Sequence, residues 1–164
     1  MVNSMQFRDG MSRLAAAVNV ITTDGPAGRR GFTASAVCSV TDDPPTLLLC
    51  VNRNAASHAV LRENGVLCIN VLAQRHTELS ALFASRERTA EERFAETVAW
   101  TTLATGAPVL RDATVAMDCR IAQVQEVGTH SVFFCEVQAM HLADRREGLI
   151  YFDRGYHPVG SAAA

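Results

Sequence analysis

Hydrophobic and polar positions change period several times along this chain, and each change marks a boundary between elements. Residues 5–17 carry Phe7, Met11, Leu14 and Ala15 at three- and four-residue spacing, which predicts an amphipathic helix with one apolar stripe. Strand signals follow. Asn19 to Thr23 is a β-branched run that stops at Asp24-Gly25-Pro26-Ala27-Gly28, a glycine-rich turn needing permissive backbone angles. Between 31 and 41 an extended backbone would put Thr33, Ser35, Ser39 and Thr41 on one face and Ala34, Ala36, Cys38 and Val40 on the other. Such a face, rich in hydroxyls and poor in bulk, suits either solvent or a flat polar ligand that approaches the main chain. Pro44-Pro45 fixes a bend, and the run 46–51 is apolar on both faces, which predicts a central strand.

The second half repeats these signals in a different proportion. Ser57 is placed to cap a short helix through Asn64, with Gly65 as its terminator, and 66–72 reads as the next strand. Residues 74–100 read as two helical pieces, the first burying Leu79, Leu82 and Phe83, the second opening with a capping box at Thr89 and Glu92. After Gly106 and Pro108 come strands at 113–127, 131–142 and 149–152, the first two joined by a turn at Gly128-Thr129. Phe133 and Phe134 are neighbours on such a strand, so they face opposite ways. Six or more strands with few helices predict a mainly β, α+β architecture with peripheral helices, a barrel or a sandwich, of which a closed antiparallel sheet would remove exposed edges. Residues 1–160 read as one domain, and the small-residue tail 161–164 as disordered.

Composition narrows the function classes. The chain has 164 residues, 48% hydrophobic and 20% charged, which fits a globular protein with a sizeable core. A formal net charge of -2 gives no electrostatic reason to expect nucleic acid or an anionic membrane as partner. Neither a signal peptide nor a membrane-spanning run is evident, so the expected compartment is the cytoplasm. The cysteines at 38, 50, 68, 119 and 135 make no Cys-x-x-Cys pair and read as reduced core residues, not as a disulfide framework or a zinc site.

Among catalytic motifs, the exclusions say most. Gly25, Gly28 and Gly31 space as G-x-x-G-x-x-G, which is neither the dinucleotide fingerprint nor a phosphate loop. A nicotinamide cofactor bound here therefore does not use a Rossmann unit. The five histidines form no metal-binding helical pair, and no Gly-x-Ser-x-Gly elbow is present. Redox chemistry, if any, would come from a bound cofactor.

Phe7-Arg8-Asp9-Gly10-Met11, Ala17-Val18-Asn19-Val20-Ile21-Thr22-Thr23, the segment 31–41, Leu67-Cys68-Ile69-Asn70-Val71-Leu72, Glu92-Arg93-Phe94, Val127-Gly128-Thr129-His130, Gly148-Leu149-Ile150-Tyr151-Phe152 and Tyr156-His157-Pro158 together resemble the flavin reductase family. The branch is that of the small component of 4-hydroxyphenylacetate 3-monooxygenase. Similar sequences also include the flavin reductase of pyrimidine ring opening and a reductase of cobalt corrinoids.

The resemblance implies an FMN-binding split β-barrel that forms a homodimer. The implied activity is reduction of FMN or FAD by NADH or NADPH, with reduced flavin passed to a partner monooxygenase. Two alternatives are a corrinoid reductase that retains its flavin and a non-enzymatic flavin-binding module. Implied flavin contacts are Thr33, Ala34, Ser35 and Ser39, then Cys50, Val51 and Asn52, then Ser57 and His58, where a helix start would favour a phosphate. Many relatives carry Asn where this chain has Ser35. His130 resembles the nicotinamide contact, orienting that ring without acting as acid or base. Tyr156 would close over the same site or pack between subunits, and so would His157. Arg93 is a flavin phosphate contact, a dimer contact, or a helix surface charge paired with its neighbours.

Overall fold

The computed structural model describes residues 1–95 and 98–160, so the expectation of a disordered tail at 161–164 lies outside the described residues. In chain order the elements are α1 (Ser4–Ser12), β1 (Ala16–Ala17), β2 (Asn19–Thr23), β3 (Arg30–Ala34), β4 (Val37–Asp42), β5 (Pro45–Asn52), α2 (Ala56–Asn64), β6 (Val66–Val71), α3 (Thr77–Ala84) and α4 (Ala90–Arg93). They continue with β7 (Trp100–Thr102), β8 (Pro108–Leu110), β9 (Val115–Val127), β10 (His130–Leu142), β11 (Gly148–Phe152) and β12 (Gly155–Val159). The main sheet has seven antiparallel strands in the order β3-β2-β6-β9-β10-β5-β4.

β3 and β4 are consecutive in the chain yet lie at opposite edges of that sheet, separated by Ser35 and Ala36 alone. Three Cα steps reach about 11 Å at most, whereas seven flat strands would hold their edges roughly 29 Å apart. The sheet must therefore curl until its edges meet, and no ladder pairs β3 with β4. The result is mainly β, a split barrel left open at one seam. Closure expected from strand count alone is replaced by a covalent joint.

That joint also corrects the reading of 31–41 as one strand. The alternation breaks at Ser35-Ala36, so Thr33 and Ser39 sit on different strands and share no continuous hydroxyl face. The central, doubly buried strands are β2, buried at every position, and β6. β5 lies next to the edge, and its Leu48 and Cys50 stay half-exposed.

Two apolar clusters result. Ile21, Leu49, Leu61, Leu67, Ile69 and Phe133 fill the inside of the curl. Val18, Val20, Phe83, Val109, Leu110 and Leu149 pack on the other face of β2 and β6, beneath α3 and the β7-β8 hairpin. Phe133 is fully buried and Phe134 half-exposed, as strand alternation requires. Three cysteines are buried, whereas Cys38 is exposed and Cys50 intermediate.

Buried Asn70 on β6 joins three strands. Its amide nitrogen donates to the Val20 carbonyl (3.0 Å) and to Thr22 Oγ1 (3.1 Å), and its oxygen accepts from the Leu110 amide (2.7 Å). A second sheet, β1-β11-β12, attaches where Val18, Leu72 and Leu149 exchange backbone hydrogen bonds.

Helix boundaries differ from expectation in instructive ways. α1 starts at a capping box of Asn3 and Gln6 but ends at Ser12, because Ala16–Ala17 is needed as a strand beside β11. Its stripe is not buried: Met5, Phe7, Met11 and Leu14 are exposed. Ala55, not Ser57, is the N-cap of α2, and Ser57 falls within the first turn, buried. Gly65 ends α2 in the left-handed conformation as expected. Asn64 then staples the 24–28 turn, accepting from the Ala27 amide (2.9 Å) and donating to the Gly28 carbonyl (3.0 Å). The Thr89–Glu92 capping box is present, but the helix it opens is only four residues long, and Trp100 belongs to a strand.

Gly31 has no room for a side chain, since a Cβ there would overlap the Phe83 ring and press on Phe94. Those two rings meet edge-on at 5.2 Å, and Trp100 completes the cluster. Gly31→Ala is expected to destabilise the protein by about 1–3 kcal/mol, read as a lower urea midpoint at unchanged m value. An unchanged midpoint would show that the aromatic cluster yields freely.

Candidate active site

β3 is the ridge between two clefts. The larger, of about 520 Å³, opens between the start of β3, the end of β5, the first turn of α2 and the loop after α3. Arg30, Arg86, Arg88 and Arg93 line it together with Asn52 and Ser57. Four guanidinium groups face one opening, and no side chain caps α2 there. Free first-turn amides and the positive end of a nine-residue helix add to the same field. An anionic group such as phosphate fits this end.

Arg93 is the structural keystone of the cleft. Its Nη1 donates to the Gly31 carbonyl (2.7 Å), Nη2 donates to the Ser85 carbonyl, and Nε is buried without a partner. Burial, followed by repulsion from Arg30, pulls its pKa below the ordinary arginine value. Arg88 is held at 2.9 Å by Glu92. The Thr89 amide and then Arg88 keep the Glu92 carboxyl below its usual range. Among the described residues Arg30 and Arg86, which line the opening, make no ion pair.

The smaller cleft, of about 230 Å³, lies against the other end of β3. Thr33, Ala34, Ser35, Tyr151 and Tyr156 line it, and Ala84 borders both clefts. The tyrosine rings meet edge-on at 5.5 Å. Tyr156 Oη lies 2.8 Å from Ser80 Oγ, while Thr33 Oγ1 donates to the Ser80 carbonyl at 2.6 Å. The Thr33 hydroxyl is thus spent on α3. What remains at the joint is a floor of small side chains and the amides of Ser35 and Ala36, which donate no hydrogen bond among the described residues.

Cys50 adjoins that joint, its amide donating to the Ala36 carbonyl (3.0 Å), and burial raises its thiol pKa. His130 pairs directly with Asn52 across β10 and β5, so both side chains project from the same face. It is exposed, with Nδ1 at 2.9 Å from Thr129 Oγ1. The structure thus gathers Asn52, Ser57 and Arg93 at the larger cleft, and Thr33, Ala34, Ser35 and Tyr156 at the smaller. His130 stands one strand away.

Three residues named from the sequence stand elsewhere. Val51 faces the core, and Ser39 is exposed on β4, apart from both linings. His58 is buried, with Nε2 at 2.9 Å from Ser131 Oγ and its ring edge-on to Phe133. Sequence reasoning missed Arg30, Arg86, Arg88 and Tyr151. The only signal was local: Arg29-Arg30 beside Gly31, and Ser85-Arg86-Glu87-Arg88 between two helices, each also readable as solvated charge.

The flavin reductase like domain family matches residues 11–160 of this chain. A curated relative from Bradyrhizobium diazoefficiens, FMN reductase (NADH) RutF, is 56% identical over 159 residues, covering 97% of this chain and 87% of the relative. A crystal structure assigned as a flavin reductase from Haemophilus somnus 129PT superposes with a TM-score of 0.92 at 46% identity, covering 96% of this chain and all of that one. BorF, the flavin reductase component of a bacterial two-component tryptophan halogenase, superposes at 0.87 with 30% identity, covering 97% and 99%. The chain belongs to the flavin reductase family. Its particular likeness is to the FMN reductase (NADH) RutF proteins within it.

Desolvation, then Arg62 and Arg53, lower the pKa of His58 below its ordinary value of 6.5. The unfolded chain therefore binds this proton at a pH where the folded one does not, so folded stability is lost as pH falls from 6.5 through the folded-state value. His58→Gln is expected to flatten the decline of melting temperature on the acid side of pH 6.5. An unchanged slope would assign that decline to other groups.

Proposed function

We propose that this chain is an NADH:flavin oxidoreductase that binds the phosphate end of FMN in the arginine-lined cleft and the flavin ring at the Ser35-Ala36 joint. One observation carries the reading. A strongly cationic opening and a small-residue floor lie at the two ends of a single strand and share a border residue, Ala84. Together they match a ligand with an anionic tail and a flat polar head. The name of the curated relatives, with its NADH, supports the hydride donor.

When both are bound, the nicotinamide supplies a hydride and the flavin accepts it. The residues of the chain supply proximity and orientation, worth several kcal/mol in reactions of this kind. No side chain is required as acid or base. Main-chain amides at the joint face the ring, small side chains at Ala34 and Ser35 admit it, and His130 orients the nicotinamide from the neighbouring strand.

Reduced flavin then passes to a partner monooxygenase in the cytoplasm. BorF is the flavin reductase component of a two-component tryptophan halogenase, which supports delivery of reduced flavin to a separate partner enzyme. Two copies of the chain form a homodimer. Half-exposed Leu48, Cys50, Val132 and Phe134, paired across β5 and β10, and the bare stripe of α1 are the apolar surfaces a second copy would cover. No helix among the described residues is long and apolar enough to cross a membrane.

The purified protein is expected to oxidise NADH in air only when FMN or FAD is added, with little flavin retained through desalting. Bound flavin without turnover would instead favour the corrinoid reductase or the non-enzymatic module. Arg30→Ala should raise the KM for FMN about tenfold and leave riboflavin within about twofold, because a charge-assisted phosphate contact contributes roughly 1.5–3 kcal/mol. Equal losses for both flavins would remove phosphate from this cleft. His130→Ala should raise the KM for NADH more than that for FMN, and equal shifts would count against its role.

A further inference from the structure

We infer that Arg53 is a positioning residue that ties the turn carrying His130 to the start of α2, so that the nicotinamide-orienting imidazole keeps a fixed relation to the phosphate cleft. The inference rests on the role given to His130 above. Arg53 is the first residue after β5, between Asn52 and Asn54, both of which line the larger cleft. Its own side chain reaches away from that cleft. The Arg53 amide donates to the Thr129 carbonyl (3.0 Å), and Nη1 donates to the Gly128 carbonyl (3.4 Å). Nη2 lies 3.3 Å from Glu126 Oε2, and Glu126 Oε1 accepts from Arg62 Nη1 on α2 at 3.3 Å.

One guanidinium therefore spans three places: the loop entering α2, the tip of the β9-β10 hairpin, and, through Glu126, the body of α2. The tip needs such a clip. Gly128 turns in the left-handed region at φ 56°, and the β9-β10 ladder ends at the pair His130 and Val127. Beyond that pair, among the described residues, the Arg53 amide and guanidinium alone join the carbonyls of Thr129 and Gly128 to another element. Arg53 and Glu126 are about half exposed, so each contact adds little to folding stability. Their effect is on the direction in which His130 points.

A second role for the same side chain, attraction of the dinucleotide phosphates by its charge, makes the opposite prediction at Glu126. Removing that carboxylate strengthens the local positive field, so a charge role predicts tighter NADH binding by Glu126→Gln. A positioning role predicts weaker binding, because the clip loses its far end.

The test measures KM for NADH at saturating FMN, and KM for FMN at saturating NADH, in Arg53→Ala, Arg53→Lys, Glu126→Gln, His130→Ala and the Arg53→Ala/His130→Ala double variant. Amide hydrogen exchange at Thr129 and His130 is followed in the ligand-free protein. Arg53→Ala should raise the KM for NADH about fivefold, as expected for a contact pair coupled by roughly 1 kcal/mol. The KM for FMN should stay within about twofold. Glu126→Gln should shift NADH in the same direction by less, and Lys should fail to restore it, because an ammonium lacks the planar fork. The double variant should be no worse than His130→Ala, and exchange at 129 and 130 should quicken in Arg53→Ala.

Tighter NADH binding by Glu126→Gln, additive losses in the double variant, or unchanged exchange at the tip would each overturn the inference. An unaltered KM for NADH in His130→Ala would remove the reading of His130 itself and the inference with it. A loss in His130→Ala with none in Arg53→Ala would overturn only the positioning role.

Discussion

Two residues, Ser35 and Ala36, hold the opposite edges of a seven-stranded sheet within reach of one another, and that short tether governs the rest of the molecule. It forces the curl, and with it the enclosed core around Ile21, Ile69 and Phe133. It also leaves a seam where β3 and β4 approach without a ladder. The seam carbonyls of Ser35 and Ala36 accept from Val37 and Cys50, but among the described residues the Ser35 and Ala36 amides donate to nothing, and the side chains there are small. A flat polar molecule can be met by backbone at this place and hardly anywhere else on a barrel surface.

The cationic cleft depends on the same tether through β3. Gly31 lets that strand sit directly on Phe83, and Arg93 ties the Gly31 carbonyl to Ser85, so the loop holding Arg86 and Arg88 is fastened to the strand. An arginine that binds backbone with two nitrogens cannot also wrap a ligand freely. Arg93 shapes the opening and adds to its field, while Arg30 and Arg86, without ion pairs among the described residues, are the groups able to reach a guest. The Glu92 carboxylate on Arg88 and the two carbonyls on Arg93 offset part of the repulsion among the four positive charges of the cleft.

Much of this was legible in the sequence, and the gaps have physical causes. A β-branched run predicted β2, a run apolar on both faces predicted β5, further strand signals predicted β6, β9, β10 and β11, and glycine marked the ends of α2 and the β9-β10 turn. β12 was not foreseen because its hairpin turn uses Asp153 and Arg154 at positive φ, where asparagine and glycine are the usual signal, and Pro158 argues against a strand unless it lies at an edge. The break at Ser35-Ala36 was invisible because the sequence pattern of hydroxyl and small apolar residues runs through it unchanged. Topology, not local preference, decides that a strand stops there. The arginine cleft was missed for a similar reason: 30, 86, 88 and 93 come together only when α3 and α4 fold onto β3. A helix-start histidine can face either a ligand or the core, and at His58 Ser131 and Phe133 hold the ring inward.

Asn70 bears on the order in which the chain assembles. Besides Cys68 on its own strand, its partners come from β2, about fifty residues earlier, and from β8, forty residues later. The bonds to Val20 and Thr22 form with the β2-β6 pairing, but the set is complete only when Leu110 arrives and its amide reaches the Asn70 oxygen. The site thus acts as a checkpoint for a late event, the docking of the β7-β8 hairpin onto an already paired β2-β6 core. A chain stalled before that event would present Asn70 to water, with the cluster around Leu110 still open.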